Sequence, residues 1–74
     1  MANPTKLSIL HAATAILEES GPAAATTRAI AEQAGVNVAA INYYFGSKEN
    51  LICKVLDEII TELKRKIAEA INNY

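Results

Sequence analysis

TTRAIAEQAGVNVAAINYYFGSKENL, residues Thr26–Leu51, consists of two short apolar-periodic segments separated by glycine. Ile30, Ala31 and Ala34 fall on one face at helical spacing. Gly35 follows, where a left-handed backbone ends a helix without a Cβ penalty. Asn37 is then placed to cap a second helix through its side-chain oxygen. Val38, Ile41 and Phe45 make the next apolar stripe, Gly46 breaks it, and Ser47 caps again. Helix, glycine turn and capped helix is the helix-turn-helix pattern, whose second helix enters a DNA major groove.

Outward from that stretch the chain remains helical. Pro4 suits the first turn of a helix, where its missing amide has no partner to lose, and Asn3 or Thr5 is the cap. Ile9, Ala12, Ala13, Ile16 and Leu17 recur at three and four, giving an amphipathic helix to Ser20. Gly21 ends it and Pro22 prevents continuation, so Pro22–Ala25 is a short connection. Thr26 caps helix 2 over Thr27–Ala34, and helix 3 runs from about Val38 to Tyr44. After Ser47, apolar positions from Leu51 and Val55 through Ile59, Leu63, Ile67 and Ile71 predict one long helix. Lys48–Asn72 spans about 37 Å if unbroken. That is longer than helices 1 to 3 can cover, so the stripe beyond about Ile59 is expected to lack a partner within the chain. No strand pattern or repeat is present. The fold class expected is all-α: a three-helix, homeodomain-like helix-turn-helix domain over residues 5–58, with 59–74 as the remainder of helix 4.

Composition narrows the function. Seventy-four residues bound the chain to one domain. The net charge is −1, against the basic balance common in DNA-binding domains. Between Thr26 and Lys48, however, the charges are Arg28 and Lys48 against Glu32 alone. The aromatics are three tyrosines and one phenylalanine, and three of these four are consecutive at Tyr43, Tyr44 and Phe45. Cys53 is the only cysteine, so no intramolecular disulfide forms and no metal site is spelled. No secretory signal and no apolar run near the roughly 20 residues of a membrane span are present. The expectation is a cytoplasmic protein without catalysis, cofactor, metal or membrane partner.

Three ordered blocks carry a resemblance: ILHAATAILEESG at Ile9–Gly21, TTRAIAEQAGV at Thr26–Val36 and INYYFGSKENL at Ile41–Leu51. At this spacing the chain resembles the DNA-binding domain of the TetR (tetracycline-repressor) family of bacterial transcriptional regulators. The resemblance implies a regulator, usually a repressor, that binds a palindromic double-stranded DNA operator as a homodimer. It also implies a second, larger helical domain that dimerises and binds a small-molecule inducer. That domain is missing here, so the chain is expected to be a fragment or a shortened gene product. This sequence departs from the family at Leu17 and Pro22, near positions that are often aromatic. It departs also at Ala29, commonly acidic, and at Asn42, mostly tyrosine. Without an acid at 29 the capping box of helix 2 is incomplete and its cap weaker.

Candidate contacts follow from chemistry. Val38, Ala39 and Ala40 offer a small apolar surface to thymine methyls, behind the Asn37 cap. Asn42 pairs two-point with adenine or meets a phosphate. Tyr43 and Tyr44 match family contact positions, and their hydroxyls donate to phosphate oxygens; the competing role is packing of one ring against helix 1. Thr26, Thr27 and Arg28 open helix 2, where free amides and the helix dipole attract an anion. Arg28 reaches a phosphate or a guanine edge, or is simply solvated. Ser47 and Lys48 repeat that arrangement at helix 4. Phe45 is assigned to the core with Ile41, Ile30 and Leu51. His11 reads as a surface histidine, and Lys64-Arg65-Lys66 as a solvated face flanked by Glu62 and Glu69. The rival reading is a helical protein-interaction or dimerisation module without DNA binding, working through the stripe of helix 4.

Overall fold

A computed structural model describes residues 3–73. Tyr74, the end of the expected 59–74 segment, lies outside them. Four α-helices follow one another: α1 (Pro4–Ser20), α2 (Thr27–Ala34), α3 (Val38–Phe45) and α4 (Lys48–Asn72). Among the described residues there is no strand. Each helix begins where a side chain accepts from a free first-turn amide. Asn3, rather than Thr5, caps α1, its Oδ1 accepting from the amides of Thr5 at 3.0 Å and Lys6 at 3.3 Å. Thr26, Asn37 and Ser47 cap α2, α3 and α4 at 3.1, 2.9 and 3.1 Å. At Thr26 only half of a capping box exists, because Ala29 has no group to return the bond.

The turn between α2 and α3 is a Schellman cap. Gly35 sits at φ 71°, ψ 33°, in the left-handed region. Its amide donates to Glu32 and that of Val36 to Ala31, at 3.2 and 3.0 Å. Two carbonyls left free by the end of α2 are thereby satisfied. The connection after α1 is more ordered than a plain loop. Pro22–Ala24 form a 3-10 turn, and Ala25 behind it is fully buried.

The core is small and aliphatic. Ile9, Ile30, Ile41, Leu51 and Val55 are its fully buried large side chains, drawn from all four helices. Alanines at 12, 13 and 31 complete it and let the helices approach closely. Phe45 is not part of this interior. It is half-buried at the rim, with the Lys6 ammonium 5.6 Å above its ring. Phe45 is the last residue of α3, so its ring closes over the core from outside and leaves a face to the cation.

Burial ends at Val55; every described residue from Leu56 onward is exposed. Ile60, Leu63 and Ile67 are each at least half exposed, at 51, 55 and 51%. Arg65 pairs with Glu62 and Glu69 one turn to either side, and the whole basic run is solvated. No described helix is long and apolar enough to cross a membrane.

Candidate nucleic-acid interface

Ile41 anchors α3. With its side chain fully buried, the 3.6-residue period turns Ala39, Asn42 and Tyr43 to solvent. Val38, expected on the Ile41 stripe, is exposed as well, because it stands in the first turn of α3, beyond the edge of the core. Val38 is 40% and Tyr43 81% exposed, large values for apolar and aromatic groups on a small domain. Ala40 does not join them. It is half-buried against the core, one position from Ile41 on the inward side, and so adds little to the approach surface predicted for residues 38–40. The exposed face is therefore small and nearly flat at its start, with one amide and one phenol beyond. An amide of this kind matches the donor and acceptor edges of a base, and a phenol matches a phosphate oxygen.

The two tyrosines differ. Tyr43 stands free of the core, and Tyr44 lies half-buried against it. Their rings meet edge to face, centroids 4.9 Å apart at 90°. The Tyr44 hydroxyl is also engaged, accepting from Asn3 Nδ2 at 3.2 Å. The packing role foreseen for one tyrosine therefore belongs to the Tyr44 ring, while its hydroxyl stays at the surface.

Two helix N-termini present free first-turn amides. At α2 the Thr26 hydroxyl oxygen accepts from Ala29, leaving the first-turn amides of Thr27 and Arg28 without helical partners. Thr26 and Arg28 are exposed and Thr27 is half-buried. At α4 the Ser47 cap holds the first turn and Lys48 is half-buried beside it. Pro22, Lys48, Glu49, Ile52 and Cys53 line one shallow depression, so the connection leading into α2 borders the start of α4. Sequence reasoning passed over Glu49 there. It favours the α4 dipole but offsets the charge of Lys48 toward an anion. It also missed Asn3 and Lys6, which the crossing of α1 brings to the end of α3. His11 is exposed, as read.

Comparison with known proteins agrees with this geometry. The family model described as bacterial regulatory proteins, tetR family, matches residues 9–55. A transcriptional repressor of the HTH type from Mycobacterium tuberculosis is 43% identical over 58 residues, 78% of this chain and 31% of that protein. The HTH-type transcriptional dual regulator CecR of Shigella flexneri is 59% identical over 46 residues, 62% of this chain and 20% of the relative. BetI of Vibrio campbellii, an HTH-type transcriptional regulator, is 33% identical over 64 residues, 86% and 32% of the two chains. The chain thus spans a third or less of these three relatives. No solved structure gives a significant match. The matched residues run from the core of α1 to Val55, the last buried position of α4. That span holds α2, α3 and the turn between them together with the parts of α1 and α4 that pack on them, and by it the chain belongs to the tetR family of bacterial regulatory proteins.

Proposed function

We propose that this domain binds duplex DNA by seating α3 in the major groove, as the reading part of a cytoplasmic transcriptional repressor. The observation that carries the proposal is the division of α3. Ile41 locks it to the core while Val38, Ala39, Asn42 and Tyr43 face outward. In this reading Val38 and Ala39 meet thymine methyls, and Asn42 reads a base edge. Asn37 and Ala40 border them as cap and support. Tyr43 and Tyr44 hold phosphates, as do Thr26, Thr27 and Arg28 at α2 and Lys48 at α4. The role is binding rather than catalysis. Few cations serve it, so affinity is modest and falls with salt. We assign the DNA-reading unit to about residues 5–58, and small-molecule induction to sequence beyond the matched segment.

The homodimer belongs to the same proposal. Two recognition helices must lie about 34 Å apart, or a multiple of it, to read a palindrome. Within this chain the exposed apolar stripe of α4 is the surface that supports pairing. Gel-shift titration against genomic fragments at low and moderate salt tests the function. Retardation of particular fragments that survives moderate salt is expected. No retardation at low salt would leave a helical interaction module in its place.

A further inference from the structure

One polar contact ties the recognition helix to the far end of the chain. Asn3 Nδ2 donates to the Tyr44 hydroxyl oxygen across 41 residues of sequence. The same side chain caps α1 through Oδ1. These two duties orient the amide without ambiguity. The oxygen must face the backbone amides, so the NH2 group must face the phenol. A phenol oxygen that accepts from Asn3 keeps its own proton unspent.

We propose that Asn3 is a positioning residue for the DNA backbone contact: it holds the Tyr44 oxygen as an acceptor and leaves the Tyr44 O–H aimed at a phosphate. The inference rests on the DNA-binding reading above. The Tyr44 ring is already fixed by packing against the core, so rotation of the O–H about its C–O bond is the main freedom left. The bond from Asn3 occupies one lone pair and turns the proton to the other side. Accepting a bond also polarises the O–H and makes it a better donor. Orientation set before binding need not be lost on binding.

Asn3→Ser tests this, because serine keeps the helix cap but is too short to reach the phenol. Phosphate contacts carry no sequence information, so a labelled random-sequence duplex at low salt is a sufficient probe. The dissociation constant is expected to rise about three-fold in Asn3→Ser, the net worth of one hydrogen bond. In a Tyr44→Phe background the same change is expected to have no effect. The salt slope should not move, since no charge is removed. Asn3→Asp is the second variant. It caps α1 at least as well, yet its carboxylate only accepts and draws the Tyr44 proton away from DNA. Its loss of binding should exceed its loss in the Tyr44→Phe background, where charge repulsion alone remains. Equal losses in both backgrounds would make Asn3 a cap only and overturn the proposal. Wild-type binding retained by Tyr44→Phe would overturn it while leaving the DNA reading intact. A wild-type chain that ignores the duplex would overturn both.

Discussion

Gly35 shows how much one residue carries here. Its φ of 71° is in the left-handed region, and a Cβ built on it would meet nothing within 4 Å. The cost of a side chain there is therefore backbone strain and not collision. Left-handed geometry costs an ordinary residue about 1–2 kcal/mol, and a β-branched one more. Gly35→Val should lower the melting temperature by several degrees, whereas Gly35→Asn, which tolerates that geometry, should lower it less. Thermal melts followed by circular dichroism check the order; equal melting of all three chains contradicts it. On the proposed reading, Asn42 and Lys48 make two kinds of contact. Asn42→Ala is expected to relax sequence preference. Lys48→Ala should weaken binding to all sequences and reduce the salt slope by about one. Competition against specific and random duplexes distinguishes them, and equal losses for Asn42→Ala on both would remove it from base reading.

Among the elements, α4 leads two lives. Its first two turns contribute Leu51 and Val55 to the core, while its outer half is held by its own ladder and side chains. There the Arg65 guanidinium bonds Glu62 and holds its carboxyl below the usual carboxylate range. The sign follows from that direction. A depressed carboxyl stabilises the helix above its unfolded pKa, and the contribution is lost as pH falls through the folded value. Helicity should therefore drop when the chain is acidified through the carboxylate range. Arg65→Ala should start lower and drop less. Both side chains are about half exposed, so the effect is small and screened by salt. Circular dichroism at 222 nm, at low and high salt, reads it. A pH response unchanged in Arg65→Ala would show that the pairs contribute nothing.

At the scale of the molecule, the domain is 47 Å along its longest axis because α4 runs past its companions. Ile60, Leu63 and Ile67 then stand in water at half exposure or more. Roughly 25 cal/mol per Å² of apolar surface favours covering such a stripe. Self-association through α4 is expected at high protein concentration, and Leu63→Glu should abolish it without changing the core. Sedimentation velocity of the two chains decides this. A strict monomer at every concentration, or a dimer indifferent to Leu63→Glu, removes α4 as the interface. Pairing by one helix is weak, and DNA affinity should rise with protein concentration if the pair is the binding form.

Local features were legible in the residues because their physics acts within a few positions. The caps at Thr26, Asn37 and Ser47 and the left-handed Gly35 involve partners within one or two turns, and the spacing that marks Ile30, Ile41 and Leu51 as apolar-face positions repeats over the same short range. The outer stripe of α4 was legible too, since no other segment is long enough to cover it. What lay beyond sequence was decided by how helices cross. Ala40 faces inward and Phe45 stays at the rim because α3 meets the core at an angle that periodicity does not specify. The bond from Asn3 to Tyr44 was settled at the same level. Spacing along a helix encodes which residues share a face; only the packing of α1 against its neighbours brings residue 3 to residue 44.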